Sequence, residues 1–322
     1  MSDAQKVTVS VVCCTHNREA FVRRHFAAVG QRLPLRTELI YALDHCTDGT
    51  RSFLEEAAAG DPRIKVFENT SPPGLFNCRN FAIDHTNGQY IHYLDDDDSV
   101  SADFYERLDE LVAASDDADF IITDLVVNVE GQTAQRKQIL DRDHIASKSR
   151  GMHELVEGDL FEAIFKGYLY FNSANALIHR RVFTRQRFST EIKKTADWLF
   201  YLEVALNARF KAIYVPGIFA VYYVHPSSMS IAGDKSYWNM RVFERLHAVV
   251  QANHSMRAEV SRAYGRALFD AGYAERQKSR QQAVSYYYKA AWHGLLWPAF
   301  KASLKLLLPS WLVRRGTAPG GH

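Results

Sequence analysis

The chain has 322 residues, of which 47% are hydrophobic and 24% charged, and its formal net charge is +2. This length and composition are typical of a soluble globular protein with one large domain or two. The nearly balanced charge argues against nucleic acid as a partner. No apolar stretch approaches the roughly 20 residues that a membrane-spanning helix needs, so we expect no transmembrane segment.

The cysteines and the N-terminus predict a cytoplasmic protein. Cys13, Cys14, Cys46 and Cys78 form neither a CxxC pair nor the Cys/His spacing of a zinc site. Free thiols are typical of a reducing compartment. Residues 1–6 lack the charged, apolar and small-residue order of a signal peptide.

Strand and helix patterns alternate through the first 127 residues. β-branched and apolar runs predict strands, and amphipathic runs predict helices between them. The predicted strands are 7–14, 37–43, 63–68, 90–94 and 120–127, and the predicted helices are 19–31, 51–59, 75–85 and 102–114. This alternation predicts an α/β fold with a doubly wound, mostly parallel sheet flanked by helices. No GxGxxG or GxxxxGK[ST] motif follows a strand, which excludes a dinucleotide fold and a P-loop NTPase.

Polar residues follow the predicted strands where each one ends. Thr15 follows the first strand, Asp44 follows the second, and Asp95–Asp98 follow the fourth. The carboxyl ends of parallel strands meet at one edge of the sheet, where α/β proteins bind ligands. Four adjacent acids cannot be buried without partners or a cation. By itself the acidic run also fits a solvated turn, and one of its residues would fit a helix N-cap.

The second half of the chain is less regular. Residues 130–152 read as a polar loop and 154–165 as a helix. Strands are predicted at 176–178, 211–215 and 218–224, and an apolar helix runs from Asp197 to Leu206. From Tyr237 onward the pattern is helical, and Pro298 and Pro309 are predicted to break the last segment into short helices.

Four segments together resemble the inverting family-2 glycosyltransferases of the GT-A fold, of the bacterial polysaccharide type. They are Val11–Arg18, Asp44–Thr50, Gly74–Asn80 and Leu94–Asp98. The resemblance implies a catalytic domain over residues 1–232, with a nucleotide-binding half (1–127) and an acceptor-binding half (128–232). Residues 233–322 would be a C-terminal helical extension.

The resemblance also implies a nucleotide and metal site. Residues expected to bind the nucleotide are Thr15, Asn17, Arg18, Asp44, Arg79, Asp95 and Asp96. Asp97 is expected to bind Mn²⁺ or Mg²⁺, hard cations that take oxygen ligands, with Asp98 as a further ligand or a sugar contact. For Arg79, a salt bridge to a neighbouring acid is the alternative.

By the same resemblance, Asp197 is the catalytic base, and Trp198 and Asn172 contact the acceptor. The family often has Glu-Asp at that base, whereas this chain has Ala196-Asp197. His225, Ser227 and Ser228 resemble a lid over the diphosphate. The alternatives are an N-cap role for Asp197, a core position for Trp198 and a plain surface turn for the lid.

The implied reaction moves a sugar from a nucleotide sugar, UDP-linked in most of the family, to a hydroxyl of a glycan or lipid-linked acceptor. A catalytically silent nucleotide- or carbohydrate-binding module is the alternative, and a nucleotidyltransferase ranks last. The tail carries aromatic and basic residues that suit the inner face of an anionic membrane. Packing on the catalytic domain and a homo-oligomer contact remain open for these residues: Trp292, Trp297, Trp311, Lys301, Lys305, Arg314 and Arg315.

Overall fold

The structure is a computed structural model that describes residues 7–307 except 116, 208–209, 227, 229–232, 251 and 253. The chain divides into two compact units, residues 1–231 and 232–322. Among the described residues, no helix is both long and apolar enough to cross a bilayer.

The strands of the first unit form one sheet. They are β1 (Val9–Thr15), β2 (Thr37–Leu43), β3 (Ile64–Glu68), β4 (Tyr90–Tyr93), β5 (Ser99–Val100), β6 (Phe120–Val129), β7 (Gln135–Lys137), β8 (Ala146–Arg150), β9 (His153–Glu157), β10 (Ala176–His179) and β11 (Ala212–Val224). Their order is β3-β2-β1-β4-β10-β6-β11-β9-β8, with β5 paired to β11 and β7 to β6.

The long strand pairs of this sheet are parallel. β1 pairs in parallel with β2 and β4, β2 with β3, and β6 with β11, whereas β10 runs antiparallel between β4 and β6. Every residue of β1 and β2 is buried, as expected for β-branched strands covered on both faces. The predicted α/β architecture is confirmed.

The described helices of the first unit are α1 (Glu19–Ala28), α2 (Thr50–Ala59), α3 (Leu75–Ile83), α4 (Phe104–Ala114), α5 (Leu160–Lys166), α6 (Arg180–Phe183) and α7 (Ala196–Asn207), with 3-10 turns at Gly30–Arg32 and Ser173–Asn175. Gly74, the motif glycine, is the N-cap of α3, and its φ of 137° suits glycine. The first turn of α3 therefore follows Gly74 directly.

Two predictions for residues 130–165 were wrong. The predicted loop contains β7 and β8, and the predicted helix over 154–165 is split between β9 and α5. Pairing with β8 and β11 holds residues 153–157 extended, because tertiary contacts override local helix preference. Gly158, with φ 111°, and the N-cap Asp159 then start α5.

Residues 211–224 were predicted as two strands and form one. The register of β11 against β6 shifts between Val215 and Phe219, where Pro216 and Gly217 interrupt the ladder. A proline cannot donate to the ladder, and Gly217 adopts φ 83°. The bulge lets one strand continue and carries its end, Val224, to the edge that holds the acidic run.

The second unit is helical: α8 (Ser236–Val249), α9 (Arg257–Glu275), α10 (Arg280–Ala290) and α11 (Leu296–Leu307). α10 and α11 are joined by a π-helical turn, Ala291–Leu295, in which Gly294 has φ 94°. The predicted break at Pro298 was wrong, because that proline lies in the first turn of α11, where no intrahelical N–H bond is lost. Pro309 lies outside the described residues.

Candidate active site

The carboxyl ends of β1, β2 and β4 bring together side chains that are far apart in sequence. The Thr15 hydroxyl donates to Asp96 Oδ2 at 2.6 Å, and the Asp44 amide donates to the Thr15 carbonyl at 2.8 Å. β1 and β2 are in register up to Thr15 and Leu43. The acidic run therefore lies in a cleft edge with Thr15 and Asp44, as the strand pattern predicted.

The four acids of the run divide into an inner and an outer pair. Asp96 and Asp98 are buried, with 6% and 4% exposure, whereas the Asp95 and Asp97 side chains are 30% and 16% exposed. Burial raises the pKa of Asp96 to about 7, although Arg18 and the Thr15 hydroxyl act to lower it. Asp95 and Asp97 are therefore the more accessible acids of the run.

Asp98 holds the end of the longest strand. Its Oδ1 accepts a hydrogen bond from the Tyr223 amide of β11 at 3.0 Å. Burial, followed by the charges of Asp95 and Asp97, raises the pKa of Asp98 well above its ordinary value. The expected ligand role of Asp98 stays a prediction.

Asp97 meets two basic side chains. Its Oδ2 lies 2.8 Å from Arg18 Nη2 and 3.0 Å from His225 Nε2. Arg18 Nε is also 2.9 Å from Asp96 Oδ1, so one guanidinium bridges adjacent carboxylates. Within the described part of the chain, no three His, Cys, Asp or Glu side chains are grouped to hold a metal ion.

Arg79 forms the ion pair that the sequence left as its alternative role. Its Nη2 lies 2.7 and 3.0 Å from the two Asp95 oxygens and 3.3 Å from Ser173 Oγ. Arg79 is 2% exposed. Burial acts to lower the pKa of Arg79, but the charges of Asp95 and Asp197 outweigh it and raise that pKa. Arg79 thus keeps its charge and holds Asp95 at the cleft.

Asp44 and Asn17 each accept hydrogen bonds that hold a neighbouring loop. Asp44 accepts from Asn69 Nδ2 at 2.8 Å and from the Gly74 amide at 2.9 Å. Asn17, with φ 51°, accepts from the Thr47 amide at 2.7 Å. Sequence reasoning missed Asn69, although it follows β3 in the way that Asp44 follows β2.

Asp197 lies in the first turn of α7, two residues after Thr195, whose φ is 60°. Its Oδ1 accepts from the Trp198 amide at 2.9 Å. The charge of Asp197 is among the causes that raise the pKa values of Arg79 and of the buried Tyr201, after burial in the case of Tyr201. Asp197 therefore lies within electrostatic range of Arg79.

The predicted acceptor residues make structural contacts. Trp198 stacks on Phe165 with ring centroids 6.1 Å apart. Asn172 accepts from the Ala174 amide at 3.0 Å, and its own amide donates to Asn175 Oδ1 at 2.9 Å. This capping box shapes the turn that carries Ser173 to Arg79. Acceptor contact by either residue stays a prediction.

The predicted lid forms a closed turn after β11. The His225 amide donates to Ser228 Oγ at 2.9 Å, and the Ser228 amide donates to the His225 carbonyl at 2.8 Å. The His225 ring packs on Phe21 of α1, with centroids 5.4 Å apart. Ser227 lies outside the described residues. The turn holds the His225 ring against Asp97.

A cavity of about 690 Å³ opens beside this contact. Its described lining comes from α1, residues 96–99 and the ends of β6 and β11, including His225. The volume is in the range of small-ligand pockets. Asp44, Arg79 and Asp197 are outside that lining, so the cavity covers the Asp97–His225 side of the cleft only.

A polar cleft at the carboxyl edge of a mostly parallel sheet, with an acidic run beside it, is the place where open α/β proteins bind their ligands. Residues 10–184 match the model of the family described as Glycosyl transferase family 2. The chain belongs to that family, and it is a glycosyltransferase.

Relatives and solved structures agree with this assignment. The putative glycosyltransferase EpsH of Bacillus subtilis is 25% identical over 261 residues, 77% of this chain and 70% of its own. A Campylobacter jejuni GalNAc(5)-diNAcBac-PP-undecaprenol beta-1,3-glucosyltransferase is 21% identical over 310 residues, 95% of this chain and 89% of its own.

The fold is that of solved GT-A glycosyltransferases. S. aureus TarS 1-349 in complex with UDP-GlcNAc has a TM-score of 0.65 at 15% identity, covering 93% of this chain and 89% of that one. The Pyrobaculum calidifontis mannosyltransferase PcManGT, in complex with GDP-Man and Mn²⁺, has a TM-score of 0.53 at 17% identity, covering 94% and 84%. At these identities the likeness establishes the fold alone, and the predicted GT-A architecture is confirmed.

Proposed function

We propose that this protein is an inverting, metal-dependent glycosyltransferase that moves a sugar from a UDP-sugar to a hydroxyl of a glycan or lipid-linked acceptor. One observation carries the proposal. Thr15, Asp44, Arg79-paired Asp95 and His225-paired Asp97 line one edge of the sheet in a family-2 chain. The UDP-GlcNAc complex of TarS supports a UDP-linked donor.

The donor nucleotide would lie along the ends of β1, β2 and β4. Thr15 and Asp44 would contact the base and ribose, with Asn17 shaping the loop beside them and Asp95 facing the ribose. Arg79 pairs with Asp95 and holds its side chain, so a ribose hydroxyl would meet an ordered acceptor. Asp96 would act from below, by holding Thr15 and Arg18.

Mn²⁺ or Mg²⁺ fits beside Asp97. The groups around Asp97 Oδ2 support this position. That oxygen already contacts the Arg18 guanidinium and the His225 ring, whose Nε2 lies 3.0 Å away. Such cations are commonly held by one or two carboxylates together with substrate phosphates. A bound cation would offset the negative charge of the departing diphosphate. Structures of PcManGT and of GalNAc-T7 contain Mn²⁺.

Arg18 and His225 would respond to the donor. Both contact the same Asp97 oxygen in the protein alone. A ligand at that oxygen displaces Arg18, whose forked guanidinium then suits the diphosphate oxygens. His225, with Ser227 and Ser228, would close over the diphosphate from the end of β11.

Asp197 would take the proton from the acceptor hydroxyl. Inversion requires a base on the face opposite the leaving group, and such a base contributes roughly 10²–10⁴-fold to the rate. Asp197 shares the electrostatic environment of Arg79 and Asp95. Trp198 and Asn172 are adjacent to the acceptor in this proposal.

A silent binding module is the second candidate, because Ala196 replaces the acid that often precedes the base. Nucleotide binding without turnover across a panel of UDP-sugars and acceptors would favour this candidate. Turnover of any donor would remove it.

Paired variants test the proposal. Asp97→Asn should weaken Mn²⁺-dependent UDP binding at least tenfold in calorimetry, because a charged ligand is lost. Asp197→Asn should leave UDP binding within about twofold and lower transfer by roughly 10²-fold or more. Asp103→Asn, an exposed acid near the run, is the matched control and should change neither. Transfer near wild type in Asp197→Asn would reject the base assignment.

The acceptor class sets where the enzyme would work. The named substrate of the C. jejuni relative is linked to undecaprenol, which supports a lipid-linked acceptor here. We propose a cytoplasmic enzyme that reaches such an acceptor at the inner face of the membrane. Radiolabelled sugar transfer to extracted polyprenyl-linked glycans, compared with soluble glycans, would test this choice.

A further inference from the structure

The C-terminal part of the chain is unusual in charge. Residues 276–322 contain eight Lys or Arg and no Asp or Glu. Residues 1–275 contain 31 basic and 37 acidic side chains, so the two parts have net charges of +8 and −6. Six of the eight basic residues lie in the described helices and turns up to residue 307. The excess positive charge is therefore confined to residues 276–322.

α11 presents large apolar side chains to solvent. Leu296, Trp297, Phe300 and Leu304 are 70%, 62%, 54% and 48% exposed. At about 100° per residue they fall within one arc of about 100°. We call these four residues the α11 apolar face. Single exposed apolar residues are ordinary, but a contiguous set on one helix face indicates an interaction site.

The opposite side of α11 packs against α10. Ala299, Ala302 and Leu306 belong to the cluster formed with Ala283 and Tyr287 of α10, so the side opposite the apolar face is the packed one. The helix is therefore oriented by its neighbour, and the apolar face is left outward.

Two lysines border the α11 apolar face. By the same helical angle, Lys301 and Lys305 lie about 40° and 80° beyond the Trp297 side of the arc. Lys301 Nζ is 4.9 Å from the Trp297 ring centroid. Aromatic rings beside lysines are typical of helices that lie at the boundary of headgroups and acyl chains.

We propose that the α11 apolar face docks on an anionic phospholipid surface. α11 has 12 residues, about 18 Å at 1.5 Å per residue, against a hydrocarbon core of about 30 Å, so it would lie in the interface. Charge decides between occupants. A second copy would bring two surfaces of the same sign together, whereas anionic headgroups complement the basic segment.

This surface rests on the second unit alone and is independent of the proposed reaction. The test uses the full chain with vesicles of phosphatidylcholine, and with vesicles of two parts phosphatidylcholine to one part phosphatidylglycerol. Wild-type protein should sediment with the anionic vesicles and be released by high salt, because salt screens the headgroup attraction. Trp297-dependent fluorescence should shift to the blue on binding.

Two double variants separate charge from apolar insertion. Lys301→Glu/Lys305→Glu should lower anionic-vesicle partitioning at least about 30-fold, which corresponds to about 2 kcal/mol for two basic residues. Trp297→Ser/Phe300→Ser should lower it at least tenfold. Lys148→Glu/Arg150→Glu is the control for charge, because it reverses two exposed basic residues elsewhere. Leu35→Ser is the control for apolar insertion, because it removes another exposed apolar side chain. Both controls should bind as wild type does.

Other results would overturn the proposal. Unchanged vesicle binding in both double variants would exclude the α11 apolar face. A lipid-free wild-type dimer that Trp297→Ser/Phe300→Ser converts to monomer, with no vesicle binding, would make the face a contact between copies. Circular dichroism and donor hydrolysis in solution, without vesicles, should match wild type in every variant. If the wild-type protein does not hydrolyse the donor, that result counts against the proposed reaction and not against the α11 apolar face.

Discussion

His92 makes the stability of the sheet sensitive to acid. It lies fully buried in β4, with Nε2 2.7 Å from the Ala174 carbonyl and Nδ1 3.0 Å from the Tyr105 hydroxyl. Its ring stacks on Phe104 at 5.3 Å. Burial lowers the pKa of His92 from its ordinary 6.5 to about 4, although the Ala174 carbonyl acts to raise it.

Proton binding decides whether folding stability rises or falls with pH. Below about pH 6.5 the unfolded chain binds a proton at His92, whereas the folded protein stays neutral there until about pH 4. Folding stability is therefore lost as the pH falls through this window, at about 1.4 kcal/mol per pH unit. Between pH 7 and pH 4.5 the loss from this one histidine is about 3 kcal/mol.

His92→Gln removes the titration while keeping one donor and one acceptor. At pH 7 we expect it to cost about 1–3 kcal/mol, because the hydrogen bonds and the ring stack are imperfectly replaced. The stability gap to wild type should then shrink by about 3 kcal/mol on going to pH 4.5, measured by urea unfolding. His25, whose pKa burial also lowers to about 4, is kept in both proteins, so most of its effect cancels.

The control is His144→Gln, at a half-exposed turn histidine. Its gap to wild type, measured at the same pH values, is the reference for a histidine outside the core. A His92→Gln gap that is the same at pH 7 and pH 4.5 would refute the assignment of a neutral, buried His92.

Three further variants test contacts of the first unit by urea unfolding. Arg79→Met should lower the free energy of unfolding by about 2–3 kcal/mol, because Asp95 loses its buried partner. It should also weaken UDP binding at least tenfold. UDP binding equal to wild type would argue against the nucleotide role of Arg79. Gly88→Ala should cost about 1–3 kcal/mol, since its Cβ would come 2.4 Å from the Ser10 amide of β1; a neutral result would mean that the strands adjust there. Asp159→Ala should cost about 1 kcal/mol through loss of the α5 N-cap, and no change would show that the α5 start is held by other contacts.

The first half of the fold was predictable because local and global preferences agree there. β1 and β2 are rich in residues that favour strands and are buried along their whole length, so burial and strand preference point the same way. β9 was missed because residues 153–157 also fit a helical pattern. Their extended form depends on pairing with β8 and β11, which no local signal contains.

The candidate site divides in the same way. A strand that ends in Asp95–Asp98 beside strands that end in Thr15 and Asp44 predicts a polar cleft, since parallel strand ends share an edge. The pairing of Asp97 with His225, 128 residues apart, comes from the bulged path of β11. The sequence alone could not select that partner.

By itself the sequence determined the α/β class, the polar edge and the residues available to it, because periodicity and strand-end chemistry are local properties. Only the tertiary structure decided that Asp96 and Asp98 are almost fully buried while the side chains of Asp95 and Asp97 keep more exposure. Four adjacent carboxylates look alike in one dimension. Burial against Thr15 and the Tyr223 amide separates them, because desolvation and hydrogen bonding act on each side chain through neighbours that only the folded chain supplies.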